Sequence, residues 1–202
     1  MKNKIIKDAL ALTLITLVAG VALGGVYEIT KDPIAKQEAQ AKAEAYEQVF
    51  TDAAAFEEVE MDDTLIQTIR DQLDQEGYKA QSIEEVMRAE DQSGETLGYA
   101  FAVVTSEGYG GDIRFSMGVQ NDGTLNGISI LSIGETAGLG MNADTPAFKD
   151  QFVGKQVEKL QYTKNGATQD DEINAISGAT VTTNAMTNGV NAGLCAFRVM
   201  EG

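Results

Sequence analysis

The chain has 202 residues, a formal charge of −16, 43% hydrophobic content, one cysteine, no tryptophan and no histidine. The length suits one domain with an appendage, and the negative charge argues against nucleic acid as a partner. Without histidine there is no haem–histidine ligation, no histidine zinc site and no Ser-His-Asp or Cys-His nucleophile, and one cysteine holds neither an internal disulfide nor an iron–sulfur cluster. Any electron chemistry must therefore use an organic cofactor or partner chains.

Residues 9–27, "ALALTLITLVAGVALGGVY", are uncharged and nearly all apolar. A helix of roughly 20 such residues spans a bilayer. Lys2, Lys4 and Lys7 precede the run and Glu28 follows it. The positive-inside rule then predicts a cytoplasmic N-terminus (1–8), a single transmembrane helix (9–27) and an extracytoplasmic remainder in the inner or plasma membrane. The rival reading, a cleaved signal peptide with small residues at "GVA" (20–22), is disfavoured by the length of the run.

Asp32-Pro33 reads as an N-cap with proline at the first helical position. The Ala-, Glu-, Lys- and Gln-rich stretch beyond it predicts a helical stalk or linker over 28–60, solvated and acting only as a spacer. Residues 61–202 are then the extracytoplasmic domain. Leu65, Ile66, Ile69 and Leu73 predict an amphipathic helix over 62–75. Strand patterns follow at 83–90, 97–106, 112–120 and 126–134, with Asn121-Asp122-Gly123 as a hairpin signal between the last two. A short helix is expected over 145–153, a strand over 155–163 and a terminal helix over 180–200. Met186, Val190, Leu194 and Phe197 lie on one face of that last helix, and Cys195 reads as a small core residue within it. The predicted class is α+β: an antiparallel sheet with packed helices, preceded by the transmembrane helix and the linker.

The most unusual stretch is "NAISGATVTTNAM" (174–186), neutral and rich in small and hydroxyl residues. Thr180 sits where a loop hands over to a helix. A helix start offers unpaired backbone N–H groups and partial positive charge, which suit a phosphate. Gly178 and Ala179 keep bulk away, and Ser177 adds a hydroxyl. Taken alone, these residues are better explained as a simple helix cap.

They do not stand alone. "GYGGDIRFSMGV" (108–119) is followed by a predicted hairpin strand, then "SIGETAGLG" (132–140), "FKDQFVGK" (148–155) and finally "ISGAT" (176–180). This order resembles the FMN-binding domain of the RnfG and NqrC subunits of ion-pumping membrane redox complexes, over roughly residues 85–200, with the N-terminal anchor also shared. The resemblance implies FMN held covalently by a phosphoester to Thr180, attached by a flavin transferase that uses FAD as donor. It also implies that Glu135, Thr136, Leu139 and Gly140, with Ser177, Gly178 and Ala179, surround the cofactor. It implies other membrane and iron–sulfur subunits of an Rnf complex as partners, and no catalytic residue or metal site in this chain. Two positions depart from the family pattern: Asn174 replaces an aspartate and Ala137 a proline. The leading expectation is the G subunit of an Rnf-type ferredoxin:NAD oxidoreductase pumping Na⁺ or H⁺. The NqrC-like subunit of the Na⁺-pumping NADH:quinone oxidoreductase, and a stand-alone anchored flavoprotein or phosphate-ligand sensor, remain alternatives.

Overall fold

A computed structural model describes residues 2–201. The chain divides into two compact units, up to Ala41 and from Lys42 onward.

The described residues of the first unit are all helical, as part of α1 (Lys2–Val49). Among the described residues this is the one helix long and apolar enough to cross a membrane, and the side chains of residues 4–29 are exposed. The expected helix start at Asp32 is not seen, because α1 runs through Pro33 without a break. An internal proline costs roughly 3 kcal/mol against alanine. The neighbouring run of alanine, glutamate, glutamine and lysine offsets that cost.

From Lys42 on, the chain builds a five-stranded antiparallel sheet in the order β1 (Ala55–Glu58), β2 (Gln81–Glu90), β3 (Thr96–Thr105), β4 (Ile113–Gln120), β5 (Leu125–Ser132). Strands β2 to β5 match the four predicted patterns within two residues. β1 was not expected; it falls where the solvated linker was predicted and pairs antiparallel with β2. The β4–β5 turn is the predicted hairpin, with Gly123 at φ +85° and Gln120 N donating to Thr124 O at 2.8 Å. α2 (Asp63–Glu76) starts with Asp62 accepting from Leu65 N at 2.7 Å and ends at Gly77 in the left-handed region.

Strand alternation sorts the sheet into two unlike faces. One carries Val86, Phe101, Val103, Ile113, Phe115, Met117 and Val119, all buried, in one cluster with α4 (Thr180–Glu201) and α2. The other carries the small residues Ala89, Ala100 and Ala102, which pack with Tyr46, Val49 and Phe50 from the end of α1. Those three side chains are 3–4% exposed, so this part of the predicted linker is core and not a solvated spacer. Lys42 pairs with Glu85 at 2.6 Å, and Ser129 Oγ donates to Gln48 Oε1 at 2.8 Å. The folded unit therefore begins near Lys42 and not at residue 61.

The predicted short helix at 145–153 appears as α3 (Pro146–Lys149) running into a 3₁₀ turn, Asp150–Phe152. The predicted strand at 155–163 shrinks to β6 (Gln161–Thr163), which pairs in parallel with β7 (Glu172–Asn174) as a separate two-stranded element. In β7, Asn174 Oδ1 accepts from Ala167 N at 2.7 Å, so this departure from the family pattern closes a local loop. Cys195 is fully buried on α4, and its thiol is pushed up to about 12 by burial and by the neighbouring Glu76 carboxylate. It is a core residue, as expected.

Candidate functional site: a cleft at the start of α4

Three segments meet at the end of the sheet where α4 begins. The first is the β3–β4 loop with "GYGG", the second the stretch after β5 with "GETAGLG", and the third the turn into α4. They enclose an open cleft of about 510 Å³ lined by Tyr109, Glu135, Thr136, Leu139, Gly140, Gly178, Ala179, Thr180, Val181 and Thr182. Residues more than 70 positions apart in sequence are thus brought together. Of the residues singled out from the sequence, Ser177 alone lies off the lining; it is exposed.

Glycine is required at three positions, two by close approach and one by a positive φ. A Cβ on Gly140 would stand 2.5 Å from Glu135 Oε2 and 2.6 Å from Thr182 Oγ1. One on Gly108 would collide with Gly111 O and lie 3.0 Å from Glu135 Oε1. Gly178 has φ +75° with Leu139 Cδ2 packed 3.0 Å from its missing Cβ. Glu135 is 8% exposed and accepts a hydrogen bond from Gly110 N at 3.3 Å. It is therefore a built part of the cleft, holding the β3–β4 loop, and not a free turn acid.

The first turn of α4 separates its three threonines. Thr183 is buried, and its Oγ1 accepts from Ile176 N at 3.0 Å and donates to Ala179 O at 2.9 Å. That side chain locks the turn into the helix. Thr182 is 1% exposed and packed behind Gly140. Thr180 is half-buried on the cleft wall, and its hydroxyl has no hydrogen-bond partner among the described residues. The N–H groups of Thr180, Val181 and Thr182 precede the first intrahelical bond, which runs from Thr183 N to Ala179 O at 3.0 Å.

Sequence reasoning missed Tyr109 and Val181. Of the large apolar side chains exposed in this unit, Ile66, Tyr109, Leu139, Val153 and Val181, three border this cleft. Tyr109 is the most open, at 76%. A lone aromatic within a glycine loop was the available signal. Such an apolar rim beside a helix start that can hold an anion suits a ligand with a flat, largely apolar ring at one end and a phosphate at the other.

Comparison with known proteins bears on that ligand. The family described as FMN-binding domain matches residues 108–194, which take in the whole cleft, and so define a flavin-mononucleotide-binding domain. The family described as RnfG N-terminal region matches residues 1–49. The chain is 32% identical over 196 residues to the G subunit of the Na(+)-translocating ferredoxin:NAD(+) oxidoreductase complex of Acetobacterium woodii, covering 96% of this chain and 92% of that one. It is 29% identical over 189 residues to the G subunit of the proton-translocating ferredoxin:NAD(+) oxidoreductase complex of Clostridium ljungdahlii, covering 94% and 89%. The crystal structure of the C subunit of the Na(+)-translocating NADH-quinone reductase from Parabacteroides distasonis aligns with a TM-score of 0.49 and 25% identity, over 57% of this chain and 61% of that one. The chain belongs to the RnfG family, the G subunits of ion-translocating oxidoreductase complexes.

Proposed function

We propose that this chain is the electron-carrying G subunit of an Rnf-type ferredoxin:NAD oxidoreductase, with FMN joined through its phosphate to Thr180. The observation that carries the attachment is the contrast among the threonines. Among the three threonines in the first turn of α4, Thr180 Oγ1 combines access to the cleft with freedom from internal bonds, while Thr183 is committed and Thr182 is 1% exposed. The residues present fit the group: the helix start would hold the phosphate, Gly178 and Ala179 would leave its backbone approachable, and Tyr109, Leu139 and Val181 would offer apolar surface to the ring.

Bound FMN supplies the redox chemistry of the subunit. The chain's own residues orient and screen. Glu135 keeps the Gly110 amide and the loop in place. It also sets a carboxylate at the cleft, which opposes the build-up of negative charge there. No histidine stands ready to activate Thr180, and a free threonine hydroxyl is a weak nucleophile. A separate FAD-dependent flavin transferase therefore makes the bond. In that transfer the Thr180 Oγ1–phosphorus bond would form as the diphosphate link of FAD breaks, with AMP as the leaving group and the hydroxyl proton passing to the transferase or to water. Electrons arrive from and leave to other membrane and iron–sulfur subunits, and the redox drop drives Na⁺ or H⁺ across the membrane. The lysines before the apolar run place residues 1–8 in the cytoplasm, with 9–27 as a single-pass anchor and the flavin domain outside. Family membership and the match over residues 1–49 favour this reading over an NqrC-like subunit.

The test is co-expression with the transferase, followed by a denaturing gel read for flavin fluorescence. Thr180→Val should abolish the signal, while Ser177→Ala, Thr182→Val and Thr183→Val each keep some. A fluorescent Thr180→Val band would move the attachment elsewhere.

A further inference from the structure

The β3–β4 loop that carries Tyr109 is tied to α4 by a side chain outside the cleft lining. Glu107 Oε2 accepts from Asn188 Nδ2 at 2.7 Å and from Asn184 Nδ2 at 3.3 Å. Asn184 and Asn188 follow Thr180 by four and eight positions, so all three share one stripe of the helix. Glu107 N also donates to Thr105 Oγ1 at 3.4 Å, and the same hydroxyl accepts from Gln81 Nε2 at 3.0 Å. The base of the loop is thus fixed to α4 and to the β2–β3 pair. Three residues on, Gly110 N is held by Glu135. Tyr109 stands between these two fixed points with its ring open to the cleft.

Asparagine is a poor choice inside a helix on propensity alone, since its amide competes for the backbone. In α4 it has tertiary work: Asn191 bonds both the N–H and the C=O of Leu160, and Asn184 and Asn188 converge on one carboxylate. We propose that Glu107 is a positioning residue, a clamp that holds the Tyr109–Gly110 loop at a set distance from the Thr180 stripe and so gives the flavin ring one orientation in the cleft. The orientation half of this rests on the placement of FMN argued above; the clamp itself does not.

The experiment uses the full-length chain in detergent and has two arms. The first needs no flavin. In a Thr180→Val background, amide hydrogen exchange at residues 108–111 should accelerate with Glu107→Ala and with Asn188→Ala, and should stay near the parent rate with Glu107→Gln, whose remaining carbonyl still accepts. Unchanged exchange in Glu107→Ala would overturn the clamp. The second arm uses flavinylated protein. Glu107→Ala should lower the anisotropy of flavin fluorescence, Glu107→Gln should restore it, and both should shift the reduction potential upward because a negative charge is lost. Faster exchange with unmoved anisotropy would overturn the positioning role, whatever the potential does. A parent chain without covalent flavin, read on the gel, would defeat the Thr180 attachment, while the exchange arm still decides the clamp.

Discussion

The two faces of the five-stranded sheet are built from the same strands and solve different problems. The face under α4 is paved with large side chains, among them Phe101, Phe115 and Met117, and α4 meets them through Gly189 and Gly193. A Cβ on Gly189 would lie 2.8 Å from the Phe115 ring. The opposite face is paved with alanine and glycine, and there the incoming segment brings the bulk: Tyr46, Val49 and Phe50. A Cβ on Gly118 would lie 2.8 Å from Val49 O and 2.9 Å from Phe50 Cε2. Small meets large on both sides, with the roles reversed. The α4 face also sets where the helix starts, and hence where Thr180 stands. The other face seats the segment that follows the N-terminal helical unit. Damage to the first should reach the cleft, and damage to the second should not.

Phe115→Ala should give the largest effect. It removes a fully buried ring from beneath α4 and should cost about 3–5 kcal/mol in denaturant unfolding. If the comparison holds, flavin fluorescence anisotropy also falls, because the start of α4 loosens. Gly118→Ala comes next, as overpacking against backbone and a ring, at about 1–3 kcal/mol. Proteolysis around residues 42–54 should quicken while flavin signals stay at the parent value. Cleft signals that moved with Gly118→Ala would break the distinction between the faces.

The smallest effect concerns acid. Glu76 at the end of α2 receives a two-pronged bond from Arg198 of α4, at 2.9 and 3.0 Å. Partial burial of its carboxyl pushes the pKa upward, but hydrogen bonds from Gln72 and Arg198 outweigh this and hold it below the usual carboxylate value. A folded-state pKa that is depressed adds stability above the unfolded value, near 4.5, and that stability is lost as pH falls below it. Both side chains are about one-third exposed, so solvent screens the pair and its contribution is modest. Arg198→Met should lower neutral stability modestly and flatten the acid limb of the unfolding curve by the same amount, leaving stability in strong acid nearly unchanged. An acid limb identical to the parent's would remove this pair from the α4 face.

Much of this was legible in the chain. β2 to β5 are strand-like runs separated by turn residues such as Ser93-Gly94, Gly108 to Gly111 and Asn121-Asp122-Gly123, so their pattern and their structure agree. The cleft was legible through the family resemblance that its glycine-bearing wall segments carry; close approach in the fold explains the glycines at 108 and 140, and a positive φ the one at 178. The linker was misread for a physical reason. Tyr46, Val49 and Phe50 are sparse apolar residues at the end of an Ala- and Glu-rich run, and helix propensity there masks a docking edge. The complementary signal lay elsewhere, in the run of small residues at Ala89, Ala100, Ala102 and Gly118. Pro33 misled in the same way, since local proline rules predict a helix start and the flanking residues override them. The difference between Thr180 and Thr183 was beyond the sequence, because it depends on which hydroxyl the turn turns inward.

The central claim is that Thr180 holds the flavin, and localising the adduct tests it most directly. Trypsin cuts after Lys164 and Arg198, releasing residues 165–198, a peptide that contains every threonine of α4 and also Thr168. Fragment-ion mass spectrometry of that peptide from the flavinylated chain should place the FMN phosphoester on Thr180, with Ser177, Thr182 and Thr183 unmodified. An adduct on any of those three, or a peptide carrying none while the intact chain remains yellow after denaturation, would contradict the account.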